Sequence, residues 1–263
     1  MLVDGKKIRD DILGELKPKF EKMGGAVLAV VWVGEDPATA KFIAQKRKFA
    51  EVAGVELRLF EYEKDITQIE LETEMNRLAH DQEIGGIIVQ LPLPEKIVAT
   101  DIIKLIPSEK DVDALGSEAR VLSPVVAAVK EILERHKIGF DRKYAVLGRG
   151  KLVGQPVAVW LAQNGAKVEV ADSHTTDLGA VTKNADVIVS GIGKSGILTG
   201  EMIKEGTIII DAGTNEQAGE LRGDADPACA LKAALFTPVP GGVGPIVVAE
   251  IFKNLFTLIT MKS

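Results

Sequence analysis

A chain of 263 residues with 46% hydrophobic and 27% charged residues has a globular composition, which sets aside collagen-like, disordered and coiled-coil classes. At roughly 150 residues per domain, its length fits one large domain or two small ones. The net charge of −6 and isoelectric point near 5.3 give no overall pull toward phosphate backbones or anionic lipid, so neither nucleic acid nor a membrane is expected as a partner.

Cys229 is the only cysteine; it forbids an internal disulfide and suits the reducing cytoplasm. Residues 1–16 mix both charge signs through their apolar positions, unlike the apolar core of a signal peptide. No apolar run approaches the roughly 18 residues of a membrane span.

In chain order, the pattern predicts strand 26–33, helix 39–53, strand 56–62, helix 68–82 and strand 86–89. A polar stretch at 113–124, with Gly116 and Ser117, interrupts this rhythm and marks a seam near residue 115. Helix 125–136 follows, and the alternation restarts with strand 144–147, helix 154–164 and strands 167–171, 187–190 and 207–211. Alternating β and α segments predict the α/β class with parallel sheets, and the restart predicts a second sheet. Residues 237–245 are too rich in Gly and Pro for a helix or interior strand, and 245–261, interrupted by Glu250 and Lys253, predicts an amphipathic helix.

Strand 144–147 runs into Gly148-Arg149-Gly150-Lys151-Leu152-Val153-Gly154, which opens a helix. Glycines allow the backbone to approach a pyrophosphate closely, and a helix N-terminus supplies free N–H donors. The strand before the loop, the helix after it and a second strand ending at Asp172 supply the context that a dinucleotide site needs. Asp172 lies 22 residues after Gly150, near the position where an acid bonds a ribose hydroxyl of NAD. Arg149, Lys151, Ser173 and Thr175 offer the opposite reading, a grip on a 2′-phosphate; a third is that Asp172 and Ser173 only begin a turn.

Three further segments carry candidate chemistry. Asp36-Pro37 starts a helix that sets Phe42 and Lys46 one turn apart on one face. Gln90 ends a buried strand just before Leu91-Pro-Leu-Pro94, at the carboxyl end where ligands bind in open α/β sheets. The loop of residues 107–113 carries Asp111 and Asp113, which point the same way if the loop is extended. Singly, each has a plainer reading: Lys46-Arg47-Lys48 as a solvated helix face, the two aspartates as turn formers.

Jointly they go further. The segments GEDPATAKFIAQKRK, GIIVQLPLPEKI, PSEKDVD, GRGKLVGQP, IKEGTIIIDAGTN, GDAD and TPVPGGVGP, in that order, resemble the bifunctional methylenetetrahydrofolate dehydrogenase/methenyltetrahydrofolate cyclohydrolase (FolD) family over nearly the whole chain. The resemblance implies two domains: a folate-binding catalytic domain of residues 1–115 plus 243–263, and an NAD(P)-binding, Rossmann-type doubly wound parallel sheet of residues 116–242. It implies oxidation of methylenetetrahydrofolate to methenyltetrahydrofolate with NADP, then hydrolysis to formyltetrahydrofolate, by a cytoplasmic homodimer that needs no metal. NAD stays open because of Asp172.

By the same resemblance Lys46 matches the catalytic lysine, Gln90 the glutamine that holds it, and Asp111 and Asp113 the acidic pair that positions the pterin, with Asp111 counted among the catalytic groups. Phe42, Pro240, Gly241 and Gly242 join Asp113 at substrate positions. Gly148, Arg149, Gly150, Val153, Gly154, Asp172, Ser173 and Thr214 fall at cofactor positions.

The chain also departs from the family pattern. Phe42 replaces the usual tyrosine, so the ring remains without the hydroxyl that contacts the lysine. KDVD continues as Ala114-Leu115, the stretch 116–122 is shortened, Leu122-Ser-Pro-Val-Val126 replaces a Cys-Thr-Pro segment, Gly150 replaces a serine, and Asp172 replaces a histidine. These changes surround the folate and adenosine pockets and leave Lys46, Gln90, Asp111 and Asp113 intact. Cyclohydrolase activity, which depends most on lysine tuning, is the half expected to weaken. Two alternatives stand beside this reading: a dehydrogenase of a related pterin carrier with little or no cyclohydrolase activity, and a non-catalytic dinucleotide-binding module.

Overall fold

The computed structural model describes residues 1–217 and 220–262. The chain forms two compact units: Asp10–Pro124 with Val248–Ser263, and Met1–Arg9 with Val125–Val247. Helix α1 (Gly5–Lys22) opens the chain and lies outside the elements read from the sequence. Its signal was present, since Ile8, Ile12, Leu16 and Phe20 recur at every fourth residue and all are buried.

The first unit holds strand β1 (Ala26–Val33), helix α2 (Pro37–Ala53), strand β2 (Val55–Tyr62), helix α3 (Gln68–His80), strand β3 (Ile84–Val89) and helix α4 (Ala99–Lys104). The strands form a parallel sheet ordered β2-β1-β3. Its central strand reads AVLAVVWV, a nearly continuous apolar run, because a strand with neighbours on both sides and cover on both faces has little solvent to meet. Leu71, Met75 and Leu78 of α3 pack with Ala29, Val31, Ile87 and Val89 on one side of this sheet. Thr67 and Glu70 close a reciprocal capping box that fixes where α3 starts.

The second unit runs through helix α5 (Pro124–Arg135), strand β4 (Lys143–Leu147), helix α6 (Gly154–Gln163), strand β5 (Lys167–Ala171), helix α7 (Leu178–Asn184) and strands β6 (Val187–Ser190) and β7 (Ile208–Asp211). A small antiparallel pair follows, β8 (Asn215–Gln217) with β9 (Glu220–Arg222), then strand β10 (Leu235–Phe236); helix α8 (Val243–Thr260) starts in this unit and from Val248 onward belongs to the first. The five-stranded sheet is parallel throughout, ordered β10-β7-β6-β4-β5. Counted within the unit this is the doubly wound order 2-1-3-4-5, and its direction of winding reverses between β4 and β6. The crevice beyond the carboxyl ends of those two strands is where such sheets bind ligands.

Helix α8 begins at Val243, inside the stretch expected to be non-helical. Pro245 lies in its first turn, where a missing N–H breaks no helical bond. The helix is long and apolar enough to cross a membrane by length and composition alone. Its apolar surface serves a core instead: Phe252, Leu255 and Leu258 are fully buried, and Phe252 stacks on Phe49 of α2 at 4.6 Å between ring centroids.

Candidate active site

Helix α2 is fixed at both ends. The Asp36 carboxylate accepts the Thr39 N–H at 2.7 Å, and Gly54 ends the helix in the left-handed region at φ 74°. Ile43, Phe49, Ala50 and Ala53 bury one face of the helix, while Phe42 remains 38% exposed. Lys46 is only 8% exposed, so the solvated-face reading fails for this residue. Its Nζ donates to Oε1 of Gln90 at 2.9 Å.

Gln90 stands at the end of β3, where its backbone N–H donates to the Val31 carbonyl at 2.8 Å and continues the ladder one residue past the strand. Its side-chain nitrogen donates to Leu91 O at 3.2 Å, which turns the amide oxygen toward the lysine. Burial pulls the Lys46 pKa below its ordinary value, opposed by the negative charge of Asp113. The result is an amine that gives up its proton more readily than a surface lysine.

The loop carrying Asp111 and Asp113 is turned rather than extended, so the extended geometry on which a shared direction of the two carboxylates depended is not met. Ile87 of β3 donates its N–H to Lys110 O at 2.8 Å, and Ala114 turns the chain at φ 53°. Asp111 is 1% exposed and accepts the Gly116 N–H on Oδ2 at 2.7 Å; its Oδ1 is buried without a hydrogen-bond partner among the described residues. Asp113 is part-buried. Burial pushes its carboxyl up to about 6, with Lys46 opposing the rise and Asp111 adding to it.

Two residues that sequence reasoning did not single out hold this loop. The Lys110 ammonium donates to Ala79 O and Asp81 O, both at 2.7 Å, closing the carbonyl end of α3. Asn254 of α8 donates to Val112 O and Leu122 O, both at 2.9 Å. A polar residue within the apolar run of the last helix was the available signal for Asn254.

In the second unit, glycine is required by contact at the winding reversal. Gly148 has φ 102°; a Cβ on Gly154 would lie 2.0 Å from the Gly148 carbonyl oxygen, and one on Gly191 would lie 2.2 Å from Val153. The loops after β4 and β6 therefore interlock, leaving the start of α6 without a side-chain cap, as a loop shaped for close backbone approach to phosphate requires. Gly150 meets nothing within 4 Å and is not required by packing.

At the end of β5, Oδ2 of Asp172 lies 2.9 Å from Nε of Arg149, and Oδ1 accepts the His174 N–H at 2.9 Å. The Asp172 N–H donates to Thr175 Oγ at 2.9 Å, so Asp172 does begin a turn, and also pairs with the glycine loop. The His174 N–H, and after it Arg149, hold the Asp172 carboxyl below its ordinary value. Ser173 and Thr214 are exposed. Pro240, Gly241 and Gly242 form a tight turn in which Gly242 donates to Pro238 O at 2.7 Å and Gly241 accepts the Gly5 N–H at 2.9 Å.

A second acidic pair, Asp211 and Asp224, lies in the IKEGTIIIDAGTN and GDAD segments. Asp224 accepts Ser190 Oγ–H at 2.6 Å and the N–H groups of Ile192 and Lys194, both at 2.7 Å; Asp211 accepts from Gly213 and Ala225. These fully buried carboxylates shape the loops after β6 and β7. They also explain two glycines: a Cβ on Gly213 would strike Asp224, and one on Gly223 would strike Asp211.

Residues 3–113 match the family described as tetrahydrofolate dehydrogenase/cyclohydrolase, catalytic domain, and residues 123–263 match its NAD(P)-binding domain. The chain belongs to the tetrahydrofolate dehydrogenase/cyclohydrolase family. Among its members, the bifunctional protein FolD of Halothermothrix orenii is 40% identical over 272 aligned residues, covering 96% of this chain and 95% of that one. The crystal structure of the bifunctional FolD enzyme of Campylobacter jejuni superposes with a TM-score of 0.95 at 34% identity, over 100% of this chain and 99% of that one. The Trypanosoma brucei FolD structure, complexed with NADP and an inhibitor, gives 0.95 at 31% identity, over 100% and 98%. The family thus accounts for both units, an α/β catalytic domain and an NAD(P)-binding parallel sheet.

Proposed function

We propose that this chain oxidises methylenetetrahydrofolate with NADP to the methenyl form and hydrolyses that product to formyltetrahydrofolate. The observation that carries the reading is the buried Lys46 amine held on Gln90 beside an acidic loop. Lys110 is also buried, but its ammonium is taken up by two backbone carbonyls at a helix end, whereas the Lys46 amine meets a side-chain amide beside the acidic loop.

The acceptor oxygens of Asp113 suit the amino and ring N–H groups of a pterin, which gives the orientation that hydride transfer needs. Asp111, tied to its own turn, positions that loop. Phe42 offers an exposed ring face against which a flat substrate can lie. Gly148, Arg149, Gly150, Val153 and Gly154 would hold the dinucleotide phosphates, with Asp172, Ser173 and Thr214 toward the adenosine end and Pro240, Gly241 and Gly242 against the substrate. NADP, when bound, supplies the hydride acceptor.

In the hydrolytic step a water oxygen bonds to the methenyl carbon while neutral Lys46 takes the proton that water releases. The bond from that carbon to one folate nitrogen then breaks as the new hydroxyl loses its proton and becomes the formyl carbonyl, and the freed nitrogen takes up a proton. A cationic substrate beside a lysine already disposed to lose its proton favours the neutral amine further. On the sequence resemblance alone, we also propose that the chain works as a homodimer in the cytoplasm. Incubating the purified chain with methylenetetrahydrofolate and NADP, and separately NAD, should reduce the dinucleotide and produce methenyl absorbance that decays as formyl product forms. No dinucleotide reduction with either cofactor would overturn the reading.

A further inference from the structure

The glycine loop and the end of β5 present opposite charges to whatever binds at the adenosine end of the site. Arg149, 67% exposed at its side chain, has the fork of donors that suits a phosphate dianion. Its Nε is engaged by Asp172. The other Asp172 oxygen is fixed by the His174 N–H, and its backbone N–H by Thr175, so the carboxylate is anchored and the arginine comes to it. The acid stands at the end of the second strand of a doubly wound sheet, where a carboxylate bonds ribose hydroxyls and repels a 2′-phosphate. Gly150 adds no hydroxyl donor to the phosphate loop.

We infer that Asp172 is the residue that sets cofactor choice: by holding Arg149 and facing the ribose, it lowers the preference for a 2′-phosphate and makes NAD a working second cofactor beside NADP. The inference rests on the proposed dinucleotide site. The Asp172–Arg149 pair is solvent-facing, and such pairs are weak enough for a competing phosphate to draw the arginine away. NADP is therefore still accepted, with a reduced advantage.

The test compares binding of ADP-ribose and 2′-phospho-ADP-ribose by calorimetry, a readout independent of turnover, in the wild type, Asp172→Asn, Arg149→Gln and the double variant. Asparagine can still accept the His174 N–H, so the turn is kept while Arg149 is released. The preference for the 2′-phosphorylated ligand should rise at least fivefold in D172N and fall back when R149Q is added. A rise smaller than fivefold, or one that persists without Arg149, overturns the inference while leaving the site intact. Failure of both ligands to bind the wild type overturns the dinucleotide site itself, and this inference with it. If D172N does not fold, Asp172→Ser carries the same expectation, because serine also accepts the His174 N–H without a charge.

Discussion

The Lys46 ammonium and the Gln90 amide oxygen meet at 2.9 Å, across 44 residues of sequence, from a helix face and the end of a parallel strand. This contact joins two segments that separately have ordinary structural explanations. A lysine in a basic run is usually solvated, and a glutamine before two prolines usually ends a strand. Together, with the lysine buried and Asp113 close enough to act on its charge, they form an amine whose proton is easily removed.

Replacing Lys46 by Gln removes the proton acceptor at the methenyl carbon while keeping a polar side chain one atom shorter. Hydrolysis of methenyltetrahydrofolate should fall by about 10²–10⁴-fold, the usual contribution of a positioned general base. The melting temperature should hold or rise, since a desolvated charge is removed. Single-turnover hydrolysis and thermal melts on the same preparation check both.

Phe42 keeps an aromatic ring one turn before Lys46 and carries no hydroxyl. Phe42→Tyr should raise hydrolysis several-fold and change hydride transfer less, because only the former depends on the lysine's proton. Equal change in the two rates, or none, would remove the hydroxyl from the account of lysine tuning.

Asp113 titrates near 6 in the free protein, above the ordinary carboxylate value of 3.8. The charged form is the better acceptor for pterin N–H groups, so the folate KM should rise as pH falls through 6, by up to about tenfold per pH unit. Asp113→Asn should bind weakly at every pH and lose this dependence. A wild-type KM that is flat between pH 5 and pH 7 would exclude Asp113 from substrate binding.

Two glycines of one loop should respond differently to the same change. Gly154→Ala places a methyl 2.0 Å from the Gly148 carbonyl oxygen and should weaken ADP-ribose binding more than tenfold. Gly150→Ala meets nothing within 4 Å and should leave binding within about threefold. Calorimetric titration of the pair separates a shaped loop from general glycine flexibility.

What could be read in advance follows the length of the sequence signal. The long apolar strand at 26–33, the glycine loop at 148–154 and the Lys46, Gln90 and KDVD segments each bear a local pattern, and the parallel alternation of both sheets follows from them. Helix α1 is masked in the sequence because charged residues crowd between Ile8, Ile12, Leu16 and Phe20, whose fourfold spacing marks its buried face. The short helices α4 and α7 carry too few turns for a period, and β8, β9 and β10 lack the four-residue β-branched or apolar runs that marked β6 and β7. The folded geometry of the Asp111 loop was out of reach because it depends on contacts distant in sequence, from Lys110 to Ala79 and from Asn254 to Val112. Asp211 and Asp224 gave no sign of mutual burial, for each is simply an acid within two residues of a glycine until the chain brings them together.

The titration of the Lys46 side chain bears most closely on the whole scheme. Carbon-13 labelling of lysines, with the Lys46 signal identified by its loss in Lys46→Gln, would follow its ε-carbon shift against pH in the free protein. The structure predicts a midpoint below the ordinary lysine value of 10.5, rising when Gln90 and Asp113 are left in place and the chain is unfolded. A folded-state midpoint at or above 10.5 would contradict the buried, proton-yielding amine on which the proposed hydrolysis depends.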